Sequence, residues 1–321
     1  MLHGVDLFCG GGGSSRGAKM AGVEIVAAVD MWPLAEATYR DNFPETKFYR
    51  QRCENLTPGK IKRQTDKIDI LLASPECTSH TCAKGASPRS EKSRSTAFQV
   101  IRFAKALRPR WIVVENVVHM RSWKRFSKWL RAIEDLGYHT RVQVLNAADF
   151  GVPQTRRRLF VTADLHRVPP IVKGRPQRKV CVTELIETGN GFRSTPLYKK
   201  GRAKPTLARA RRAIKQLGAG QPFLIVYYGS DGAGGWQGVD RPLRTITTVD
   251  RFGYVNPTDD GYELRMLQVP ELSRAMGFPR EHRLMRGTRR EKIKLIGNSV
   301  CPPVMRAIIE SLTSKNSELR N

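Results

Sequence analysis

Short, mostly apolar runs alternate with segments of helical spacing through the first half of the chain. The runs are residues 5–8, 25–29, 69–73, 111–114 and 158–163, and several are apolar throughout, as in strands that a parallel sheet buries on both faces. Residues 14–21, 33–42, 96–107 and 123–136 have helical spacing. This alternation predicts a doubly wound α/β sheet with its ligand site at the carboxyl ends of the strands.

Two predicted helices carry start signals. Ser14 or Ser15 is a candidate N-cap of the first, and Pro33 lies where prolines are favoured in a first turn. After residue 164 the alternation stops, and residues 165–240 resemble an inserted, irregular module with a loop-like glycine stretch at 229–236. Regular patterning returns at 270–277, and a helix is predicted after Pro302.

Charge divides the chain unevenly. The 321 residues include 56 Lys and Arg against 29 Asp and Glu, a net charge of +27. Residues 1–74 carry net +1, residues 75–164 and 165–240 each carry +10, and residues 241–321 carry +6. The neutral first quarter suits a small-molecule site, and the remainder suits a polyanion such as a nucleic acid.

Cysteine spacing and hydropathy exclude several classes. The 6 cysteines form no CxxC pair, which argues against a zinc site and a disulfide framework and favours a reducing compartment. We therefore expect no metal. No apolar run approaches the roughly 18 residues that span a bilayer, and the first residues do not resemble a signal peptide. These features predict a cytoplasmic protein.

A glycine-rich turn, residues 6–13 (DLFCGGGG), joins the first predicted strand to its helix. Such a turn lets a cofactor approach the backbone and offers it helix N–H groups. The glycine spacings of dinucleotide folds and phosphate loops are absent, and Asp30 ends the second strand, where a carboxylate can accept both ribose hydroxyls. An adenosine cofactor without a pyrophosphate fits this pattern better than a dinucleotide.

Cys77 follows the run 69–73 and so should lie at the same sheet edge. A lone cysteine is often a small core residue, but the neighbours here are polar and turn-forming, and the basic, serine-rich segment after it favours thiolate and could close over a substrate. Glu76 opposes this, since an adjacent carboxylate raises a thiol's pKa.

A carboxyl and two arginines complete the candidate site. Glu115 ends the buried run 111–114, where it needs a partner or a raised pKa; a capping or ion-paired role is the alternative. Arg156 and Arg158, two residues apart, should point the same way and could clamp a base carbonyl or a carboxylate. Solvated charge is the alternative for the arginines, and the stronger interpretation for Arg157.

Together these motifs resemble the DNA cytosine-5 methyltransferases, which use S-adenosylmethionine (SAM). The matching segments, in the family's order, are 6–13, Pro75 with Cys77, 93–96, 115–117 (ENV), 154–158 (QTRRR), 241–245, 272–279 and 297–300 (GNSV). The unmatched residues 165–240 fall where this family carries its variable target-recognition region. The resemblance implies a Rossmann-like SAM-binding catalytic domain (1–164), a small target-recognition domain (165–280) and a C-terminal segment that returns to the catalytic domain (281–321).

The resemblance also assigns site residues. The catalytic residues are Cys77, Glu115, Arg156 and Arg158. Cofactor contacts are expected at Phe8, Gly10, Gly12, Gly13, Asp30, Met31, Glu54, Asn298 and Val300. DNA contacts are expected at Thr78, Lys84, Arg89, Arg94, Gln154, Arg209, Arg211 and Arg241. The chain departs from the family pattern at Glu76, usually proline, and at Thr78, usually glutamine.

The implied reaction transfers a methyl group from SAM to carbon 5 of a cytosine flipped out of duplex DNA, leaving S-adenosylhomocysteine (SAH). Cys77 would add to carbon 6, Glu115 would protonate ring nitrogen 3, Arg158 would help hold the base, and Arg156 would hold the backbone or Glu115. The base that removes the carbon 5 proton is not identified. An RNA cytosine-5 methyltransferase and an inactive DNA-binding relative remain alternatives. We expect a bacterial or phage-encoded monomer acting at the nucleoid, with a cognate restriction endonuclease as a candidate partner.

Overall fold

The structure is a computed structural model that describes residues 1–63, 65, 67–76, 91–174, 179–187, 191–228 and 232–314, without the side chains of residues 92 and 94. Up to residue 164 the strands are β1 (Leu2–Leu7), β2 (Val23–Asp30), β3 (Lys47–Arg50), β4 (Ile70–Ala73), β5 (Trp111–Asn116), β6 (His139–Asn146), β7 (Gln154–Thr155) and β8 (Arg157–Asp164). The helices are α1 (Gly13–Met20), α2 (Pro33–Asn42), α3 (Gly59–Lys62), α4 (Glu91–Arg94), α5 (Phe98–Leu107) and α6 (Phe126–Glu134).

The large sheet is the predicted doubly wound one. Its seven strands run in the order β3-β2-β1-β4-β5-β8-β6, and all are parallel except β8, which is antiparallel to both neighbours. The strand order reverses between β1 and β4, the kind of switch point at which open α/β sheets bind ligands. The edge strand β6 was not predicted, because most of its side chains are half-buried and polar residues interrupt its apolar pattern.

Burial on both faces explains the continuous apolar runs. In β4, Ile70 and Leu72 pack into one hydrophobic core, whereas Leu71 and Ala73 pack into another on the opposite face. Helices α5 and α6 cover the second face. Because every position of such a strand is buried, the sequence shows an uninterrupted apolar run instead of an alternating one.

The remaining elements follow residue 164. The strands are β9 (Thr195–Pro196), β10 (Phe223–Val226), β11 (Trp236–Gly238), β12 (Leu243–Arg244), β13 (Phe252–Thr258) and β14 (Gly261–Met266). The helices are α7 (Lys204–Leu217), α8 (Val269–Ala275), α9 (Arg289–Asn298) and α10 (Pro302–Thr313), of which α8 and α10 begin near the positions expected from the sequence.

The second part of the chain is more regular than the sequence predicts. Its strands form an antiparallel five-stranded sheet in the order β11-β10-β13-β14-β9. Helix α7 covers this sheet, with Ala210 and Ala213 in one core with Phe223 and Val255. Three of these strands, β9, β10 and β11, have only two to four residues, and polar residues interrupt the apolar pattern of β13 and β14, so each gives too weak a pattern to identify by itself.

A two-stranded pairing joins the second part of the chain to the first, and a buried ion pair fixes the small sheet to α8. Strand β12 pairs in parallel with β7, which directly precedes β8. At the end of β14, Arg265 forms a bidentate ion pair with Glu271 of α8, with nitrogen–oxygen distances of 2.7 and 2.8 Å, and both side chains are buried.

The chain's C-terminal part packs beneath the glycine-rich turn. A Cβ atom on Gly17 would lie 2.6 Å from both Met305 Cβ and the carbonyl oxygen of Pro302, so only glycine lets α1 approach α10 this closely. Helix α10 therefore packs against α1 on one face of the catalytic sheet. None of the helices in the described part of the chain has the length and apolar character needed to cross a membrane.

Replacing Gly17 with alanine tests this packing. Because the new methyl group meets backbone and Cβ atoms, we expect Gly17→Ala to lower the free energy of unfolding by about 1–3 kcal/mol. Gly59→Ala is the matched control, since no atom lies within 4 Å of its Cβ position and its change should stay within about 0.5 kcal/mol. Equal stability of the two variants in urea denaturation would contradict the close approach of α1 and α10.

Candidate active site

A cavity of about 410 Å³ opens at the carboxyl ends of β1, β2, β4 and β5. Its lining includes seven of the predicted cofactor residues together with the predicted catalytic acid, namely Phe8, Gly10, Asp30, Met31, Glu54, Asn298, Val300 and Glu115. A larger cleft of about 610 Å³ lies between residues 184–187 and α8, but none of the predicted site residues lines it. The smaller cavity is therefore the candidate site.

The glycine-rich turn forms one wall through its backbone conformation. Phe8, Gly10 and Gly12 have positive φ angles of 58°, 50° and 77°. A Cβ atom at Gly10 would have no neighbour within 4 Å, which leaves room for a ligand against the backbone.

Gly12 and Gly13, predicted as cofactor contacts, are not among the residues that line the cavity, and both are closely packed. A Cβ on Gly12 would lie 2.6 Å from the Phe43 ring, and one on Gly13 would lie 2.2 Å from the carbonyl oxygen of Val300. These glycines let α2 and the C-terminal segment approach the turn, and Val300 itself reaches the cavity.

A buried carboxyl group supports the turn from below. Ser14 and Ser15 both donate hydrogen bonds of 2.5 Å to Asp6 Oδ2. The prediction that one of these serines caps α1 is wrong, since Gly12 occupies the N-cap position in a left-handed conformation. Burial raises the pKa of Asp6 to about 6, although the two serine hydrogen bonds act in the opposite direction.

Asp30 lies opposite the turn at the end of β2. Its carboxylate accepts hydrogen bonds from the N–H groups of Gly10 (3.0 Å) and Trp32 (2.9 Å). Burial raises the pKa of Asp30, and these hydrogen bonds partly offset that rise. The neighbouring Met31 is half exposed beside the cavity, and the Lys294 ammonium lies 5.0 Å from the centre of the Trp32 ring.

Glu115 brings a second carboxyl group to the same cavity from β5. Its side chain is buried, and Arg158 Nε lies 3.2 Å from its Oε1. Burial raises the pKa of Glu115, whereas the charges of Arg158 and Arg156 lower it. A buried carboxyl group with a raised pKa can keep a proton and donate it to a bound ring nitrogen.

Backbone contacts fix the segment that leads to Cys77. The N–H of Ser74 donates to the carbonyl of Leu7 (3.1 Å), and Asn116 Nδ2 donates to the carbonyl of Pro75 (3.0 Å). Asn116 was not singled out from the sequence, although it belongs to the matched ENV motif. Cys77, Thr78, Lys84 and Arg89 lie outside the described residues, as does the side chain of Arg94.

Residues 2–314 match the family model of the C-5 cytosine-specific DNA methylases. The chain belongs to this family. It is 28% identical over 304 residues to the type II methyltransferase M.HgiDI of Herpetosiphon aurantiacus, covering 92% of this chain and 89% of that protein. It is 34% identical over 164 residues to M.DdeI of Desulfomicrobium norvegicum, covering 49% of this chain and 39% of that protein.

Solved structures agree in fold. A Spodoptera frugiperda DNMT2 variant superposes with a TM-score of 0.71 at 18% identity, covering 98% of this chain and 100% of that one.

Two of the sequence relatives are longer than the part that matches. The matches to M.DdeI and to M1.HphI of Haemophilus parahaemolyticus cover 39% and 44% of those proteins, less than half the length of either.

Within this DNA methylase fold, the side chains of Gln154 and Arg156 are both buried. Gln154 was predicted to contact DNA, but its amide nitrogen donates to the carbonyl of Ala275 (3.0 Å) and its oxygen accepts from the N–H of Ile246 (2.8 Å). Arg156 donates to the carbonyls of Ile246, Gly297 and Ser299 at 2.8–3.1 Å. The Gln154 side chain therefore stabilises the packing of distant backbone segments. Arg156 also forms hydrogen bonds with backbone carbonyls, and it is close enough to Glu115 to lower the pKa of that carboxyl group.

The other predicted DNA contacts that fall among the described residues lie beyond residue 200. Arg211 is exposed on α7, a helix without acidic residues, together with Lys204, Arg212 and Lys215. Arg209 lies in the middle of the same helix and is half-buried, with its guanidinium 5.5 Å from the centre of the Tyr227 ring. Arg241 is exposed, and its Nε lies 3.4 Å from Asp240 Oδ1.

Asp6 predicts a pH dependence of stability. Because its pKa rises from 3.8 in the unfolded chain to about 6 in the folded chain, its contribution is fully present below pH 3.8 and is lost as the pH rises through 6. We expect the unfolding free energy of the wild type, relative to Asp6→Asn, to fall by about 2 kcal/mol between about pH 4 and about pH 7. A difference that does not change with pH in denaturant titrations would show that Asp6 does not titrate in this range.

Proposed function

We propose that this protein transfers a methyl group from SAM to carbon 5 of a cytosine in duplex DNA through a covalent Cys77 adduct. The observation that carries the proposal is one cavity that combines the Asp30–Gly10 wall with Glu115, at the sheet edge from which Ser74–Glu76 leads to Cys77. Membership of the C-5 cytosine-specific DNA methylase family supports the same reaction.

The cavity suits an adenosine cofactor. Its volume of about 410 Å³ lies within the range of small-molecule sites, about 300–1,000 Å³. Asp30 would accept the ribose hydroxyls, Met31 and Phe8 would contact the adenine, and the open face of Gly10 would admit the ligand against the backbone. When bound, SAM supplies an electrophilic methyl group.

The protein's own groups would activate the cytosine. Carbon 5 is a weak nucleophile, and addition of the Cys77 thiolate to carbon 6 makes it enamine-like. Glu115, whose pKa burial raises, would give its proton to ring nitrogen 3 and so stabilise the adduct. Arg158 would orient Glu115 and hold the base, while Arg156 would keep the surrounding backbone in place.

DNA binding is proposed for the basic regions after residue 75. The target cytosine would be flipped out at a cost of a few kcal/mol. The exposed basic face of α7 would neutralise phosphates, with Arg209, Arg211 and Arg241 contributing. We propose residues 1–164 as catalytic domain, 165–280 as target-recognition domain and 281–321 as the returning segment.

We further propose that the protein acts as a monomer in the cytoplasm of a bacterium. The type II methyltransferases among its relatives support pairing with a restriction endonuclease of the same target sequence. That target sequence would be read by side chains of the 165–280 region.

Cys77→Ala tests the covalent step. Without the thiol, methyl transfer from labelled SAM to duplex DNA should be abolished, and no adduct should form with 5-fluorocytosine duplex, while DNA binding persists. Cys181→Ala is the matched control and should keep full activity. Cys181 is half-buried far along the chain, and its thiol donates a hydrogen bond to the Asp240 carbonyl.

Undiminished product from Cys77→Ala would contradict the assignment. Methylation of tRNA in place of duplex DNA by the wild type would support the RNA methyltransferase instead. Failure of the wild type to form any adduct would support an inactive DNA-binding relative.

Glu115→Gln tests the proton donor. The amide cannot donate a carboxyl proton to ring nitrogen 3, so turnover should fall by about 10²- to 10⁴-fold. Calorimetric SAM affinity should remain within about threefold, because Glu115 is assigned to the base and not to the cofactor. A collapse of SAM affinity with normal DNA steps would show that this role is wrong.

A further inference from the structure

Glu76, which directly precedes Cys77 in the sequence, lines the candidate cofactor cavity. Hydrogen bonds of the two preceding residues fix its position. The N–H of Ser74 donates to the carbonyl of Leu7, and the carbonyl of Pro75 accepts from the side chain of Asn116. The family usually carries proline at this place, so a carboxylate here is a property of this chain.

One guanidinium lies between two carboxylates on this side of the cavity. Arg52 Nη2 lies 3.7 Å from Glu76 Oε1, and Arg52 Nε lies 3.8 Å from Glu54 Oε2. The group of three therefore keeps a net negative charge. Lys294 is the other cation among the described lining residues, and its ammonium lies over Trp32.

The charge of Glu76 also affects the pKa of Asp30, the residue proposed to bind the ribose. Burial raises the pKa of Asp30, and the negative charge of Glu76 raises it further. Glu76 is thus within electrostatic range of Asp30 and is joined to Cys77 by one peptide bond.

Bond connectivity places the cofactor's positive charge between these two points. In SAM the sulfonium is one carbon from the ribose ring, and its methyl group must reach the ring carbon next to the one that Cys77 attacks. A carboxylate close to both Asp30 and Cys77 is therefore close to the sulfonium. SAH has the same skeleton without this charge.

We propose that Glu76 makes the cavity selective for cationic SAM over its neutral product SAH. This inference rests on the proposed function. Glu76 stabilises the sulfonium by charge, and the stabilisation ends once the methyl group has left. The product is then held more weakly than the substrate.

Calorimetric titration without DNA measures the selectivity directly. The probes are SAM, SAH and sinefungin, in which a carbon bearing a protonated amine replaces the methylated sulfur. In Glu76→Gln we expect Kd for SAM and sinefungin to rise about three- to tenfold and Kd for SAH to change less than about twofold. Glu76→Asp should keep most of the selectivity, and Glu76→Pro should lose it as Glu76→Gln does.

Glu54→Gln is the matched control, because Glu54 shares Arg52 but is not joined to Cys77. It should change the SAH-to-SAM ratio of Kd values less than Glu76→Gln does. An unchanged ratio in Glu76→Gln and Glu76→Pro, or an equal change in Glu54→Gln, would overturn the role of Glu76. Absence of SAM and SAH binding to the wild type would instead refute the proposed function itself.

Discussion

The hydrogen bonds of Arg156 join three parts of the chain that are far apart in sequence. Its guanidinium, buried just before β8, donates to the carbonyl of Ile246, between β12 and β13, and to the carbonyls of Gly297 and Ser299 at the end of α9. Gln154 makes the parallel connection to Ile246 and Ala275. These hydrogen bonds to backbone carbonyls hold the C-terminal segment against the catalytic sheet.

The cavity depends on that arrangement. Asn298 and Val300 reach it only because the end of α9 is held beside the glycine-rich turn, where Gly13 leaves space for the Val300 carbonyl. On the other side, β1, β2, β4 and β5 bring Gly10, Asp30, Glu76 and Glu115 to one sheet edge. The site thus combines a local feature, the switch point of a parallel sheet, with a return of the chain over more than 100 residues.

The inner strands of the catalytic sheet and several cavity residues could be predicted from the sequence, because buried strands, a glycine-rich turn and strand-end acids leave local patterns, whereas the edge strands and the second sheet could not. Side chains with long-range partners could not. Gln154 resembled a DNA contact, yet its buried side chain forms hydrogen bonds with Ala275 and Ile246, and the close packing of Gly12 on Phe43 likewise depends on a residue distant in sequence. The Arg52–Glu76 pair also left no signal, since a pairing of charges is not visible in either residue's neighbourhood.

Bisulfite sequencing of DNA from bacterial cells that express the protein tests the central claim most directly. The account predicts 5-methylcytosine at one recurrent target sequence throughout the DNA, absent from cells carrying the empty vector. Unmethylated DNA in cells that contain the folded protein would contradict the assignment of this cavity to cytosine methylation.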